Sequence, residues 1–524
     1  MENSIKRMFF LLKASLINRR FNHLSPPHWR VPSIGRFWIK IVSLSSNDIC
    51  RFCHATHKDL QSHIHDYDHD VAHKYWSITE YDAICDTMEE DEDAVECLVS
   101  VENLFNEGDS DEDLSEEEDD VIDEEDINRT QDSESEIASD EELSNNFGLK
   151  MRCPFNQLEA FHCILGMPPD HMHDVLEGVV AQDLFGVIKI FVKKGVFTLE
   201  EYNSRLKSLD LHSHEAADKP QVVPLKGKKL PGKALSLLVH VRNFPLIIKH
   251  LIDDPEDDIL TFALLLVDIT NRLTAAEIRN YEIAILEDKI VEYLDARKDI
   301  FAEFPNLLGT AKPKHHFLSH YGQAIRLFGP PLAFWTARFE SKHRVSKNIA
   351  ETAKKFKNIT LTVTVRQQMR MASIFYRGMF ETKLFTLPDN VLYWKDIQTS
   401  SNSHVWEKVK DFMSTRDLAC SEIVSNHQKY RRNDLVVLEV IDGLEELKVG
   451  VIEAIVVKNY DVFLVMRTYL AIKHSFGYYQ SVRMNVDLTF TETKNLADFK
   501  PLVKHGTTMK FQFVLHHHIS HNQN

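Results

Sequence analysis

An acidic segment divides this chain of 524 residues into two unequal parts. Residues 89–142 contain 27 of the 79 Asp and Glu residues and a single basic residue, Arg129, so the segment carries a charge of about −26. A segment so charged and so poor in aromatic residues cannot bury enough apolar surface to fold. We therefore predict a disordered acidic linker over residues 86–146. It either binds basic proteins such as histones or serves as a solvated linker.

The rest of the chain is mildly basic. The formal net charge is −18, so removing the linker's −26 leaves about +8 for the remaining residues. A body of this charge is compatible with DNA as a partner. The seven cysteines are an odd number with one pair at metal-binding spacing, which indicates a reducing compartment without a disulfide framework. No apolar run reaches membrane-spanning length, so no membrane partner is expected.

Residues 1–47 form an atypical N-terminal segment. Its first 22 residues are basic with short apolar stretches, which is compatible with a mitochondrial presequence. The alternative is the start of a truncated gene. The segment also has no Asp or Glu between residues 3 and 47.

Hydrophobic periodicity predicts an α+β protein. Apolar residues recur at helical spacing from Val175 to Phe191, and further helices are predicted at 235–252, 258–273, 275–300, 315–328 and 333–350. A basic loop at 205–233 interrupts them. β-Branched stretches at 434–441, 449–457 and 461–469 predict a small C-terminal β-domain over 431–505. A helical connector over 386–430 would precede this domain, and a tail over 506–524 would follow it.

Two pairs of potential metal ligands lie far apart in the chain. Cys50 and Cys53 in residues 48–85 have the spacing with which two thiolates grip one zinc ion. His315 and His320 are five residues apart, near one helical face, and could complete a Cys₂His₂ zinc site. Buried free thiols and ordinary core or surface histidines are the alternatives.

Glu340 lies 20 residues after His320 among basic residues. A carboxylate here could help to hold the magnesium ions that activate water in phosphodiester cleavage. Nearby cations could hold the DNA backbone, and the basic loop supplies more of them. The alternative is a charged helix face with i,i+4 ion pairs. The candidate DNA-backbone residues are Arg338, Lys342, Arg344, Lys347, Lys226, Lys228 and Lys229.

Several separated motifs together resemble the CACTA/EnSpm (tnp2-like) transposases, which are distantly similar to the V(D)J recombinase catalytic core. Those transposases carry a Cys-Arg-x-Cys element, a Phe-His element followed by Pro-Pro-Asp-x-x-His-Asp-x-x-Glu-Gly-Val, a Pro-Lys-His-His-Phe-x-x-His-Tyr element and a Trp-x-x-Arg-Phe-Glu-x-Lys-His element. The matching segments occur here in order, at Cys50–Cys53, Phe161–Val179, Pro313–Tyr321 and Phe328–His343. The resemblance is dense over 148–385 and thin over 48–80.

The resemblance implies a transposase-like domain over 147–385. Its RNase H-like core would be interrupted by an all-α insertion over 160–310, and the helix 333–350 would carry Glu340 as the last acidic residue of a DDE site. It also implies that Cys50, Cys53, His315 and His320 hold a structural zinc ion.

His173, Asp174 and Glu177 belong to the family pattern, but their role does not follow from it. A metal-dependent HD phosphohydrolase also uses a His-Asp pair, although it needs further ligands, for which His162 is the obvious candidate. The other reading is a helix start, with Asp174 near the cap and Glu177 in the first turn.

The family pattern fails at the first two catalytic aspartates. Both should precede Cys50, the nearer by about twenty residues, and no acidic residue occurs there. One carboxylate does not hold two divalent ions. The RNase H-like core is therefore expected to be partial. We expect an inactive, transposon-derived nuclear protein with residual DNA binding, and magnesium only if the protein is active. The alternatives are an active nuclease with substituted carboxylates, or an interaction scaffold acting through the acidic linker.

Overall fold

The computed structural model describes only part of the chain. The described residues are 50, 52–53, 55, 75–90, 152–157, 159–354, 358–377, 385–387, 392–393, 409–410, 412–414, 417–425, 427–507 and 510–520. The predictions for residues 1–47 and for most of the acidic linker lie outside these residues, as does most of the sequence between Cys53 and Tyr75.

Helices dominate the described residues up to 377. A π-helix, His171–Val180, runs directly into one of them, and the Pro313–Tyr321 stretch contains a 3₁₀ turn, Leu318–His320. The α-helices are α1 Ile78–Glu90, α2 Cys163–Gly166, α3 Ala181–Lys193, α4 Leu199–Lys207, α5 Ala234–Ile248, α6 Asp258–Leu273, α7 Asn280–Glu303, α8 Pro305–Leu308, α9 Pro313–Phe317, α10 Tyr321–Phe328, α11 Ala337–Ala353 and α12 Ile359–Tyr376. Further 3₁₀ turns are Pro154–Gln157, Ala216–Asp218, Pro331–Ala333 and Thr493–Asn495.

The apolar helix α5 lies at the centre of a helical body formed by α3 to α10. It has buried residues along almost its whole length, whereas a surface helix buries one stripe. Pro245 removes one backbone hydrogen bond near its end. One turn earlier, the buried Asn243 side chain finds a partner within the helix, because it donates to the Val239 carbonyl at 2.8 Å. The π-helix packs against α5 and α9, and so connects the centre of the body to the Pro313–Tyr321 motif.

The C-terminal region is a long antiparallel sheet. Three strands of 13 or 14 residues pair in sequence through short turns, and a β-bulge near Glu453 changes which residues of the first of these strands face each side. The strands are β1 Phe385–Thr386, β2 Leu392–Tyr393, β3 Leu418–Cys420, β4 Glu422–Ser425, β5 Gln428–Arg431, β6 Leu435–Asp442, β7 Glu446–Lys458, β8 Asp461–Lys473, β9 Tyr479–Glu492, β10 Asp498–Leu502, β11 His505–Gly506 and β12 Phe511–Phe513. Of these, β1, β4 and β5 form a small separate sheet.

The sheet docks on the helical body through its β8–β9 turn and its C-terminal segment. Phe476 in that turn packs against the helical core, and Gly477, with a φ of 84°, lies so close to Leu264 that an added Cβ would come within 3.1 Å of its side chain. After β12, the His518 amide donates to the Asn271 carbonyl at 3.0 Å. The helical body and the sheet therefore form one compact unit, which also contains Cys50 and Cys53.

Residues from Glu340 to Phe380 belong to a different compact unit. Its described part consists of α11 from Glu340 onward and the whole of α12. Every side chain of α12 is exposed or only half-buried in this structure.

The structure supports the α+β class and differs from two of the predicted boundaries. The described residues of the predicted helical connector, 386–430, mostly form β-strands, with helix only at Val409. The predicted tail, 506–524, instead contributes β12 and packs on the helical body. Among the described residues all strands belong to the two C-terminal sheets, so no RNase H-like sheet is seen there. In this same part of the chain, no helix is long and apolar enough to cross a membrane.

Candidate metal centre

Cys50 and Cys53 are held by a tight turn that pairs with a distant segment. The Phe52 amide donates to Cys50 Sγ at 3.4 Å, which is the kind of contact that orients a thiolate. Cys53 forms an isolated antiparallel bridge with Tyr75, and the Trp76 amide donates to the Phe52 carbonyl at 3.2 Å. Both thiols are about 1% exposed. The turn thus presents two sulfur atoms to the interior.

The opposing side of the site comes from α9 and the turn after it. His316 and His320 are four residues apart, so their side chains leave the same helical face, and their Nε2 atoms lie 3.1 Å from each other. Pro313 at the first position of α9 fixes where this helix begins. Both histidines are buried.

The four ligand atoms form one compact group. Cys50 Sγ lies 3.1 Å from His320 Nε2, while Cys53 Sγ lies 3.3 Å from His316 Nε2 and 3.7 Å from His320 Nε2. Zinc bonds of about 2.3 Å to sulfur and about 2.0–2.1 Å to nitrogen imply ligand–ligand distances of about 3.4–3.8 Å at tetrahedral angles. One separation, 3.7 Å, lies in this range, the other three are shorter at 3.1–3.3 Å, and all four atoms lie within 4.8 Å of one another. The cluster could hold a metal ion such as zinc.

Aromatic side chains shield the cluster from water. Phe52 packs edge-on against Phe317 with ring centroids 5.6 Å apart, and it also covers the ring of His320. Tyr75 lies edge-on to His320 at 5.3 Å. Burial, followed by the nearby charges of Cys53 and Cys50, raises the pKa of Tyr75 to about 12. These rings, of which Tyr75 is itself 40% exposed, limit the access of water to the cluster, and limited water strengthens the hold of thiolates on a cation.

The predicted ligand His315 belongs to a different cluster, and His316 takes the place assigned to it. The Lys312 amide donates to His315 Nδ1 at 2.9 Å, so His315 Nε2 carries the proton and donates to Asp183 at 3.1 Å. A spacing of four residues, not five, aligns two side chains on one helix face. The sequence therefore contained a signal for His316, namely its position four residues before His320, which the prediction did not use.

His315 completes a buried polar network in the helical body. Arg297 binds Asp183 through two hydrogen bonds of 2.9 and 3.1 Å, and the Tyr293 hydroxyl also donates to this carboxylate. Burial opposes ionisation of Asp183, but the charge of Arg297 outweighs it and holds the pKa of the carboxyl below its usual range. Burial, with Arg297, lowers the pKa of His315 and keeps its imidazole neutral. The network fixes the start of α9.

His173 and Asp174 each form a hydrogen bond with Asp170. The Asp170 carboxylate accepts from His173 Nδ1 at 2.5 Å and from the Thr336 amide at 2.9 Å. These hydrogen bonds overcome the effect of burial and lower the pKa of Asp170 to about 2. Asp174 turns back to accept from the Asp170 amide at 2.8 Å. In the described part of the chain, neither His173 nor Asp174 belongs to a group of three metal-ligating residues.

Glu177 acts as a helix cap. Its Oε1 accepts from the Ala234 amide at 3.1 Å, the first residue of α5. Lys233, at the N-cap of α5, makes no capping hydrogen bond through its side chain. The segment from Asp170 to Glu177 therefore joins three elements, namely the π-helix, the start of α5 and the turn before α11. His162, the further ligand considered for an HD site, instead contacts Asn156 and Asp82.

Glu340 is half-buried near the start of α11, and among the described residues it does not belong to a group of three or more metal-ligating side chains. The predicted DNA-backbone residues are exposed wherever their side chains are described, namely at Arg338, Arg344, Lys347, Lys226, Lys228 and Lys229. The side chain of Lys342 lies outside the described set.

None of the six described cysteines forms a disulfide.

Comparisons with known proteins give no family for this chain. No family model matches it, and neither a curated protein nor a solved structure matches it significantly.

Proposed function

We propose that this protein is a transposon-derived, DNA-binding protein of the CACTA/EnSpm type that does not cut DNA. One observation carries the proposal. The thiols of the Cys-Arg-x-Cys motif and two imidazoles of the Pro-Lys-His-His motif meet in a single buried cluster, although 263 residues separate Cys53 from His316. Two motifs of the family resemblance thus contribute side chains to the same cluster, as a shared zinc site requires.

The zinc ion in this proposal has a structural role. Four protein ligands leave no position open for water or substrate, which is the pattern of structural and not catalytic sites. When bound, the ion supplies a cross-link between the Cys50–Cys53 turn and the helical body. Without the ion, a few aromatic contacts would have to offset the entropy lost when the long chain between this turn and α9 is closed into a loop.

Exposed basic residues support DNA binding. Residues 340–377 contain nine Lys and Arg residues against two Glu residues. On α12 the side chains of Arg366 and Arg370 are exposed one helical turn apart. The loop before α5 adds Lys226, Lys228 and Lys229, all exposed. Cations spaced along a surface neutralise successive phosphates and bind duplex DNA without reading its sequence.

Lack of cleavage follows from the carboxylates. A two-metal phosphodiesterase needs several carboxylates around its ions, and residues 3–47 contain none. Glu340 alone would leave magnesium almost fully hydrated and poorly positioned. A DNA-binding protein of this ancestry would act in the nucleus, where its acidic linker could also bind histones.

An electrophoretic shift series with duplex DNA tests the binding. We expect a shift at low salt whose affinity falls linearly on a logarithmic plot against salt, with a slope of about 0.9 for each phosphate contact. Absence of a shift at low salt, or binding insensitive to salt, would contradict DNA binding.

A plasmid assay tests the lack of cleavage. The purified chain is incubated with supercoiled plasmid and Mg²⁺ or Mn²⁺, beside the Glu340→Gln variant. We expect both proteins to leave the plasmid supercoiled. Nicking by the unaltered chain that disappears in Glu340→Gln would instead establish a working nuclease.

A further inference from the structure

Helix α12 exposes a row of apolar side chains beside its arginines. The row consists of Leu361, Val365, Met369, Ala372 and Tyr376, whose successive spacings of four, four, three and four residues place them on one face of the helix. All five side chains are exposed, and Tyr376 is 94% exposed. Contiguous apolar surface that stays exposed to water commonly marks an interaction site.

A row of arginines runs along the same helix. Arg366, Arg370 and Arg377 each come one residue after a member of the apolar row, so they lie about 100° further around the helix axis. All three are exposed, and residues 359–377 contain no Asp or Glu. Arg366 and Arg370 are separated by about 6 Å along the axis, at about 1.5 Å per residue. The helix therefore presents a strip of positive charge with an apolar strip at its side.

These two rows fit a polyanion that also presents apolar faces. A second copy of α12 would bring no countercharge to the arginines, because the helix has no acidic residue. Nucleic acid has both features, since phosphates follow one another along its backbone and every base has a flat face. In a duplex these faces are covered by neighbouring base pairs, whereas an unpaired strand can turn them towards a protein. The apolar row therefore favours a single strand.

Tyr376 is the side chain best placed to stack on a base. Its ring is exposed at the end of the apolar row, and Arg377 follows it directly. Phe375 is 63% exposed and offers a second ring on the side of the apolar row away from the arginines. Single-strand sites combine aromatic rings, which stack on bases, with cations, which neutralise phosphates. The end of α12 has both.

We propose that α12 binds single-stranded DNA, with the arginine row on the phosphates and Tyr376 stacked on a base. The proposal rests on the DNA binding proposed above and adds which form of DNA this helix prefers. The arginines alone attract the phosphates of a duplex and of a single strand. The apolar row adds contacts that only the bases of an unpaired strand can make.

Matched single-stranded and duplex probes test this preference. The full-length chain is titrated with a labelled oligothymidylate that is longer than a single-strand site of about 4–16 nucleotides, and with the same strand paired to its complement. We expect the single strand to bind more tightly. Tyr376→Ala should weaken single-strand binding by about 5- to 140-fold, because it removes one stacked ring. It should leave duplex affinity and both salt slopes unchanged, because it removes no cation.

Two further variants serve as controls. Tyr376→Phe keeps the ring and should keep the single-strand affinity. Tyr460→Ala removes a tyrosine that is 81% exposed in the turn between β7 and β8, and it should bind both probes as the unaltered chain does.

The outcomes separate this proposal from DNA binding in general. If the duplex binds as tightly as the single strand, or if Tyr376→Ala keeps its single-strand affinity, the preference is wrong although DNA binding stands. If neither probe binds, both proposals fail. A dimer of the unaltered chain that Tyr376→Ala dissociates, with single-strand affinity unchanged, would overturn the proposal and assign the apolar row to a second copy.

Discussion

Two adjacent histidines at the start of α9 point into different buried clusters. His316 faces the two thiols, whereas His315 donates to Asp183. We expect His316→Ala to lose the zinc ion proposed for the Cys₂His₂ cluster, because three ligands hold zinc far more weakly than four. His315→Ala should keep that ion, but it should lower the free energy of unfolding by about 1–3 kcal/mol, since it removes a hydrogen bond from a buried carboxylate.

Zinc content and chemical denaturation of the two variants distinguish these roles. The controls are the unaltered chain and Lys314→Ala, a substitution in the same helix, α9. Loss of zinc from His315→Ala with normal zinc in His316→Ala would reverse the assignment. The result would also show whether the ligand pair is His316 and His320, four residues apart, or His315 and His320, five residues apart.

His240 gives the helical body a dependence on pH. It is about 1% exposed and shares a 2.9 Å hydrogen bond with the Tyr202 hydroxyl. Burial lowers its pKa to about 3, compared with about 6.5 in an unfolded chain. Because the folded-state pKa is the lower one, the contribution of His240 to stability is complete above pH 6.5. This contribution is lost as the pH falls towards 3.

His240→Phe should therefore reduce the acid sensitivity of folding. Between pH 7 and pH 5 the unaltered chain loses about 2 kcal/mol through this one residue, given about 1.4 kcal/mol for each pH unit below 6.5. The variant loses the Tyr202 hydrogen bond at every pH, which costs about 1 kcal/mol, but it should lack that pH-dependent loss. Denaturation midpoints at the two pH values measure this. An unchanged difference between them would show that His240 is already charged when folded.

At the scale of elements, the sequence was most informative where helices are long and amphipathic. The predicted helix 258–273 coincides with α6, because Asp257 caps its start and the apolar spacing persists to Leu273. The region 386–430 was predicted to be helical, but it contains β3, β4 and most of β5. Each of these strands has only three or four residues. Such strands exist through pairing with partners such as β7, which local sequence does not encode.

The candidate metal centre shows the same limit. Both ligand pairs were detectable because each pair is local, and the choice between His315 and His316 depended only on helix geometry. The buried Asp183–Arg297 pair was missed because 114 residues separate its members. Only the fold brings such residues together.

The exposed arginines of α12 should contribute directly to DNA binding. Arg366→Ala/Arg370→Ala removes two cations from one helix face and leaves the apolar residues in place. We expect weaker binding of duplex DNA and a decrease of up to about 1.8 in the salt slope, because each lost phosphate contact removes about 0.9. Electrophoretic shifts across a salt series measure both quantities.

Gln368→Ala is the matched control for these arginines, because it truncates an exposed side chain of the same helix without removing charge. It should bind DNA as the unaltered chain does. If the double variant also keeps its full salt slope, then α12 does not contact DNA, and the lysines at 226, 228 and 229 become the residues to replace.

At the scale of the whole molecule, charge is divided between an acidic segment and a mildly basic remainder. Residues 89–142 carry about −26, against about +8 for the rest of the chain, as the sequence shows. If the basic residues bind DNA as proposed, the acidic segment, which is part of the same chain, would compete with DNA at a high effective concentration. Deleting residues 91–142, which spares α1, should therefore tighten DNA binding and abolish capture of purified histones. A replacement linker of equal length, with Ser and Gly in place of the acidic residues, separates charge from tether length. If that neutral linker binds DNA as weakly as the unaltered chain, charge competition is wrong. If it still captures histones, the acidic residues are not their binding site.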